Sequence, residues 1–529
     1  MGIPSYFKHV IQQYRTIIRK YDKSLRIDNL YLDSNSIIYD AVRADAVVGK
    51  KDIEAAILKE VVNKIADYIK TIGPSNKVMI AFDGVAPAAK LAQQKTRRYK
   101  GQIEKACHES MGIISETTWD TTAITPGTKF MDKLNKHLRA AFKSPSKFGV
   151  SEIIVSPPDE PGEGEHKIFH YIRSNKEYHM GTSTAIYGLD ADLLMLTLNH
   201  LRCADKLYLF RETPHFIRTI DSTLEPEKNY LIDMPEMAKA ITNDLNDGSD
   251  IKNESQRQRM YDYIFICFLL GNDFLPHFPA LNIRTDGISR ITSAYKQTIS
   301  AAGNLTNDGR IVWKNMRYFI KILADNEEEY IMTEHKIREK QARSVKHGRP
   351  DTDPRVQSLL NIPLNDRRKE IYINPFEDGW KDRYYKMLFN TWKNDKLCKE
   401  VSLNYLEGLE WTLKYYTSGC PDWRWMYNFD YPPLLSDLIN YVPYFDVELI
   451  EQKPENPVSP LVQLSYVLPS SRLSLLPRKI EMALLKNKPN WYDMNAVDVE
   501  YSYCRYFWEG HVHAPHIDID ELATLIESV

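Results

Sequence analysis

Seven acidic residues stand where carboxylates could gather around divalent cations. Asp33 follows the run Leu30-Tyr31-Leu32, Asp83 follows Val78-Met79-Ile80-Ala81-Phe82, and Asp190 and Asp192 follow Ala185-Ile186-Tyr187-Gly188-Leu189. Each run reads as a buried strand, and in open α/β sheets ligands bind just past the carboxyl ends of the strands. Glu163 and Glu165, in Pro161-Gly162-Glu163-Gly164-Glu165-His166-Lys167, come after a strand at 153–155 and open the next helix. Asp273, in Gly271-Asn272-Asp273-Phe274-Leu275-Pro276, follows an apolar helix at 263–270. Any one of these acids alone reads as a turn or cap residue. Together they would converge on one region, where packed like charges are costly unless cations neutralise them. Carboxylate oxygens suit magnesium, with manganese as the alternative. Two such ions about 3.5–4 Å apart can activate a water and stabilise the leaving oxygen of a phosphodiester. No serine or cysteine nucleophile is then required. The sequence has no Gly-x-x-x-x-Gly-Lys-Ser/Thr loop of a nucleotide-triphosphate motor.

A second group lies just after Asp83. Asp83-Gly84-Val85-Ala86-Pro87 reads as a strand end, a turn and a helix start, with Pro87 suited to the first turn. At helical spacing Lys90, Gln94, Arg97 and Arg98 share one face, with no acidic partner between Lys90 and Lys100. Charge runs on helices are commonly solvated faces. A basic face beside an acidic metal cluster has a further use, the reception of a phosphate, which arginine grips bidentately.

The elements that must position these groups alternate. Strand signals at 30–32, 78–82, 153–155, 185–187 and 207–210 are separated by helical patterns, such as 53–69 with Ile57, Val61, Ile65 and Ile69 on one face. This βα alternation predicts a mostly parallel sheet flanked by helices. Residues 326–370 turn charged and poorly periodic and are read as a solvated helix or loop insertion; 371–529, rich in tyrosine, tryptophan and proline, are read as a mainly helical module. The expected division is therefore 1–325, 326–370 and 371–529.

Apolar residues make up 43% of the 529 and charged residues 26%, the profile of a globular protein. The net charge of −2 disfavours a generally basic nucleic-acid binder, so any nucleic acid must be held by local patches. The six cysteines form no CxxC pair, so neither a zinc motif nor a disulfide framework is expected, and a reducing compartment fits. The N-terminus has neither a signal pattern nor, with Tyr6 at its sixth position, the myristoylation pattern. No apolar run approaches the roughly 20 residues of a membrane span.

The sequence resembles the Xrn family of 5′→3′ exoribonucleases. Besides the stretches quoted, the resemblance rests on Met1-Gly2-Ile3-Pro4 with Tyr6-Phe7, Asp33-Ser34-Asn35, Gln93-Gln94, Leu193 and His277. Later matches are Tyr405-Leu406-Glu407-Gly408-Leu409-Glu410-Trp411 and Gly419-Cys420-Pro421 with Trp423 and Trp425. The matches follow family order along most of the chain. The resemblance implies a PIN/FEN-like nuclease core, with a second conserved region at 371–529 completing the pocket. It implies that Asp33, Asp83, Glu163, Glu165, Asp190, Asp192 and Asp273 are the catalytic metal cluster, and that Lys90, Gln94, Arg97 and Arg98 form a 5′-monophosphate pocket. Asn35 is expected beside the substrate. Tyr39 stands where the family often has a histidine that stacks on the 5′ base, and Trp423 or Trp425 is expected to face it. Ala88 and Ala89 depart from a commonly basic site. The long extension of cytoplasmic members and the zinc knuckle of some nuclear members have no counterpart, so the chain is read as a compact catalytic core. Most of the other aromatics between Tyr405 and Tyr431, Trp411 and Tyr415 included, are expected to be core.

The expected function is processive 5′→3′ degradation of 5′-monophosphorylated single-stranded RNA to mononucleotides, with magnesium, by a cytoplasmic monomer acting in RNA decay. Two rivals remain: a FEN/XPG-type structure-specific nuclease acting on DNA, told apart by its oligomeric products, and a non-catalytic RNA-binding scaffold.

Overall fold

The computed structural model describes residues 5–113, 119–214, 217–248, 253–344 and 353–529. The Met1-Gly2-Ile3-Pro4 stretch lies outside the described residues.

Seven strands form the central sheet: β1 Ile18–Lys20, β2 Asn29–Asp33, β3 Lys77–Ala81, β4 Glu152–Ser156, β5 Ser183–Tyr187, β6 Lys206–Glu212 and β7 Asn229–Asp233, in the order β1-β7-β6-β5-β2-β3-β4. Strands β6, β5, β2, β3 and β4 run parallel, while β7 and β1 add an antiparallel edge. The chain goes outward from β2 through β3 to β4, then returns to the other side of β2 for β5. The strand order therefore reverses at the β2–β5 pair, and a crevice opens there past the strand ends.

The pleat sorts residues between two cores. On one face Leu30, Leu32, Val78, Ile80, Ala185 and Tyr187 pack with Ile57, Val61 and Ile65 of the helix Ile53–Ile72. On the other face Tyr31, Met79, Ile186 and Leu209 join one continuous core with Tyr405, Leu409, Trp411 and Tyr415 of the helix Asp395–Thr417. The helix Asp395–Thr417 thus shares the core on this face of the sheet, where it packs against the helix Asp192–Asn199.

The charged stretch from 326 does not form a solvated insertion over its described part. The helix Glu327–Ser344 buries Glu327, Ile331, Glu334 and Arg338. Glu327 accepts from the backbone N–H groups of Leu435 and Ser436, and Arg338 donates to both oxygens of Glu370, at 2.8 Å from Nε and 2.5 Å from Nη2. Sequence periodicity missed the buried face because its charges are compensated by groups distant in sequence: backbone N–H groups for Glu327, Asn282 and Thr285 for Glu334, and Glu370 for Arg338. Residues 345–352 of that stretch lie outside the described residues. Among the described residues, no helix is long and apolar enough to cross a membrane.

Candidate active site

Asp33 is the last residue of β2, and the backbone N–H of Ser34 donates to the carbonyl of Ala81 at the end of β3. Past β3 the chain pairs with the loop that precedes the helix Gly164–Ser174: Gly84 N–H donates to Gly162 at 2.9 Å, and Gly162 N–H donates to Val85 at 2.7 Å. This pairing brings Glu163 and Glu165 beside Asp83. The carboxylate of Asp83 accepts from the Gly164 N–H at 2.8 Å and from the Asn35 side-chain amide; the Asp83 N–H donates back to Asn35 Oδ1 at 3.2 Å. Glycine is required at 164, where an added Cβ would lie 2.7 Å from Asp33 Oδ1. At Gly188, after β5, a Cβ would collide with the Leu193 side chain.

These groups line a cavity of about 220 Å³ whose wall includes Asp33, Asp83, Glu163, Glu165, Asp190 and Asp273. Asp192, at the start of the helix Asp192–Asn199, is buried just behind it, and its Oδ1 has no hydrogen-bond partner among the described residues. Burial and the neighbouring carboxylates Asp83, Asp190 and Glu163 push Asp33 well above the usual carboxylate range. Burial and Glu163 do the same to Glu165, and burial with Asp273 raises Asp192 to about 7. The cluster is under electrostatic pressure that cations would relieve.

Lys90 sits inside the cluster. Its ammonium lies 2.5 Å from Glu163 Oε2 and 2.8 Å from Asp273 Oδ2. Burial alone would lower its pKa, but Asp273, Glu163 and Glu165 outweigh burial and hold it well above the usual lysine value. The same cation holds Asp273 below the usual range against burial.

Gln94, Arg97 and Arg98 follow Lys90 along the helix Ala88–Ser110 and line the same cavity, as do Asn35 and Tyr39. Gln94 is buried, Arg97 exposed and Arg98 half-buried. An Arg98 Nη2 donates to Thr125 Oγ1 at 2.6 Å, and burial lowers Arg98 to about 10. The acidic and basic groups expected from the sequence thus share one wall. Lys90 is the exception in placement, since it pairs with the acids.

Neither Trp423 nor Trp425 lines that cavity. The carbonyl of Trp423 accepts from the Ala88 N–H at 3.0 Å, which ties the second region to the start of the basic helix. Trp425 belongs to a ladder of stacked rings that runs from His166 to Tyr415, at 3.8 Å between centroids, then to Trp411 at 4.7 Å and Trp425 at 5.3 Å. Gly408 makes room for that ladder: a Cβ there would approach Trp425 to 2.8 Å.

Sequence reasoning did not assign Tyr415 to the site. It was read as core, and it is buried, but its hydroxyl also donates to Glu163 Oε1 at 2.9 Å. His166, to which the sequence assigns no role, offers one ring nitrogen within 4.8 Å of an oxygen of Glu163 and one of Glu165, so the three together could hold a metal ion. The adjacency of His166 to the Glu163–Glu165 pair was the one available signal.

The oxygen-rich donor set, the orphaned Asp192 oxygen and the raised carboxylates fit divalent cations of the magnesium type. Residues 1–213 match the family described as the XRN 5′-3′ exonuclease N-terminus, and residues 255–361 and 365–529 match the one described as the Xrn1 helical domain. The chain belongs to the XRN family. It is 25% identical to the 5′-3′ exoribonuclease 2 homolog of Drosophila melanogaster, over 98% of this chain and 70% of that protein. Against 5′-3′ exoribonuclease 1 of Saccharomyces cerevisiae the identity is 27%, over 94% of this chain and 41% of the relative. The family's N-terminal match ends at the close of the parallel sheet, and its helical match covers the helices that carry Tyr415 and the aromatic ladder. Among solved structures the catalytic core of Rad2 in complex with DNA substrate aligns with 64% of this chain and 79% of its own, at 14% identity and a TM-score of 0.32.

Proposed function

We propose that this chain is a metal-dependent 5′→3′ exoribonuclease that removes nucleoside 5′-monophosphates from single-stranded RNA with a 5′-monophosphate end. The observation that carries this reading is a single cavity walled by six carboxylates and by Gln94, Arg97 and Arg98, with Tyr39 on the same wall. Family membership and relatives named 5′-3′ exoribonucleases support it.

The seven acids would hold magnesium or manganese, two ions by the size of the donor set. Bound cations supply charge neutralisation and activation of a water. The chain's own residues do the rest. Arg97 and Arg98 donate to the 5′-phosphate, with Gln94 as a third donor. Tyr39 offers a ring to the first base. Anchoring the terminal phosphate sets the first internucleotide phosphate beside the carboxylates, and such positioning accounts for much of the barrier reduction. Lys90, held between Glu163 and Asp273, places a fixed positive charge between the two regions of the wall. In the reaction the bond from phosphorus to O3′ breaks, water supplies the oxygen of the new 5′-phosphate, and the departing 3′-oxygen takes up a proton. The next nucleotide then presents a 5′-monophosphate, so the same pocket serves each cycle.

The test is incubation of 5′-phosphorylated, uniformly labelled RNA with magnesium, with Asp190→Ala as control. Progressive shortening with release of mononucleotides, lost on chelation and in the control, is expected. Release of short oligomers from branched DNA would favour the flap-nuclease alternative, and degradation indifferent to chelation would end the metal-dependent reading.

A further inference from the structure

A second, larger cavity, of about 740 Å³, adjoins the first. The two share Tyr39, Arg97 and Arg98, but none of the seven acids lines the second. Its floor is the continuation of the basic helix: Gly101, Gln102, Lys105 and His108 extend the stripe that begins at Lys90, at spacings of three and four residues. Trp119 and Arg472 belong to its remaining wall. The volume falls in the range of about 300–1,000 Å³ common for small-ligand sites.

Two features of the lining suit it to a polar guest. Arg98 Nε, Gln102 Oε1 and His108 Nε2 are all buried and have no hydrogen-bond partner among the described residues. Buried polar atoms are normally paired, so three side chains of this wall keep unused hydrogen-bonding capacity. Trp119 and Tyr39, each half-buried, add aromatic rings to the same wall.

The position of the cavity decides which guest. Resting on the exoribonuclease reading above, Arg97 and Arg98 hold the 5′-phosphate, the first group of the RNA, while the 3′ body of the strand lies beyond the scissile phosphate, past the carboxylates. A space that touches the phosphate-holding arginines and none of the acids is on the product side. Its charges are mixed: Glu104, Glu109 and Asp120 line it along with the basic residues, and Arg472 Nε lies 3.0 Å from Asp120 Oδ2. Such a lining passes a phosphate along and does not trap it. We infer that the second cavity is an exit vestibule through which the cleaved nucleoside 5′-monophosphate leaves, past Arg97 and Arg98, without backing out along the RNA.

Gly101 gives a clean test. It lies within a helix, its φ is ordinary, and a Cβ built there meets nothing within 4 Å, so a side chain at 101 projects into open space. Gly101→Phe should plug the vestibule, with Gly101→Ala as the control for the helix. Product release commonly limits kcat. The expected result with 5′-phosphorylated RNA is a steady-state rate lowered about tenfold or more in Gly101→Phe, while single-turnover release of the first nucleotide stays within about twofold of the unsubstituted protein. A burst of one nucleotide per enzyme would accompany it, and Gly101→Ala should behave as the unsubstituted protein. Unchanged steady-state turnover in a variant that melts cooperatively overturns the inference. So does an equal fall in single-turnover and steady-state rates, which would place the cavity on the incoming strand's path. Should Gly101→Phe fail to fold, Lys105→Trp, at an exposed position one turn further along the same wall, is read by the same criteria. Failure of the underlying nuclease reading is distinguishable, because the unsubstituted protein would then release no nucleotide at all.

Discussion

The hydroxyl of Tyr415 donates to Glu163 Oε1 at 2.9 Å across 252 residues of sequence. It joins the helical region to the carboxylate cluster, in a buried setting where the ring is also clamped between His166 and Trp411. A hydrogen bond to a charged acceptor is worth about 1.5–3 kcal/mol when its partner cannot find water. Its geometric effect is to fix one oxygen of Glu163 and leave the other to Lys90.

Tyr415→Phe therefore keeps the stack and removes only the donor. The expected outcome is a several-fold increase in the magnesium concentration needed for half-maximal exonuclease rate, consistent with the roughly 10–100-fold metal-affinity losses seen when an outer-shell partner is removed. The rate at saturating magnesium should fall less than the affinity. A magnesium titration of the initial rate, together with a melting curve to confirm that the ring still packs, checks this. An unchanged magnesium requirement would make Tyr415 a packing residue only.

The acid cluster predicts a pH dependence of stability in chelator. Burial with neighbouring carboxylates raises Asp33 and Glu165, and burial with Asp273 brings Asp192 to about 7. Carboxyls raised in the folded state bind more protons folded than unfolded over the interval from about 4 to their folded values, so stability falls as pH rises through it. Thermal midpoints measured in chelator should drop between pH 5 and pH 8. Magnesium or manganese binds the deprotonated ligands, so either should restore more at pH 8 than at pH 5. A midpoint indifferent to both pH and metal would mean that the carboxylates do not share a cation site.

Arg97 is exposed and lines both cavities, so its removal leaves the core intact. Arg97→Ala should slow degradation of 5′-monophosphorylated RNA by about 10–100-fold, the scale of one or two charge-assisted bonds at roughly 1.4 kcal/mol per decade. It should leave the slow degradation of 5′-hydroxyl RNA nearly unchanged. The ratio of the two rates is the readout, and a parallel loss on both ends would move Arg97 out of phosphate recognition.

What the sequence made legible follows from how local each signal is. Strands β2, β3, β5 and β6 were readable because they are interior strands that appear as short apolar runs, and the edge strand β4 because of Ile153-Ile154-Val155; the opposite edge, β1, is only Ile18-Arg19-Lys20, and β7 offers just Tyr230-Leu231-Ile232 between polar ends. The carboxylates were readable because six of the seven lie at or soon after strand ends, and the sheet's parallel order brings those ends together. Lys90 was grouped with Gln94, Arg97 and Arg98 by helical spacing, yet it leans to the acids, since a long side chain chooses its partner in three dimensions. Tyr415 was legible as a core residue but its polar end was not, because the bond it makes depends on the docking of Asp395–Thr417 against the start of the helix Gly164–Ser174.

The charged stretch from 326 makes a prediction about stability apart from activity. Arg338 is 2% exposed, and besides Glu370 its guanidinium donates to the carbonyls of Cys504 at 2.9 Å and Pro363 at 3.3 Å. Glu370 in turn accepts from Arg367 Nε at 2.7 Å and from the Tyr503 N–H at 2.8 Å. Arg338→Ala leaves a buried carboxylate short of its bidentate partner, a loss of about 3–5 kcal/mol. Denaturant unfolding should report a loss of that size, while the folded fraction keeps its rate per molecule. A near-neutral Arg338→Ala would mean that Arg367 and the Tyr503 N–H suffice to hold the Glu370 carboxylate.

Gly164 isolates the geometry of the cluster from its chemistry. It is the only residue between the acids Glu163 and Glu165, its N–H holds Asp83 at 2.8 Å, and an added methyl would stand 2.7 Å from Asp33 Oδ1 and 3.2 Å from the Ala81 carbonyl. Gly164→Ala changes no ligand and no charge. One methyl must nonetheless push the Asp33 carboxylate or the Gly164–Ser174 helix away by several tenths of an ångström. Misplacement on the scale of 1 Å can cost roughly a hundredfold in rate. The expected result is a loss of exonuclease activity of about that order with all seven carboxylates present, and a weaker metal-induced rise in the thermal midpoint. Full activity in Gly164→Ala would mean that Asp33 need not approach the backbone of residue 164 this closely, and that the cluster tolerates a looser frame.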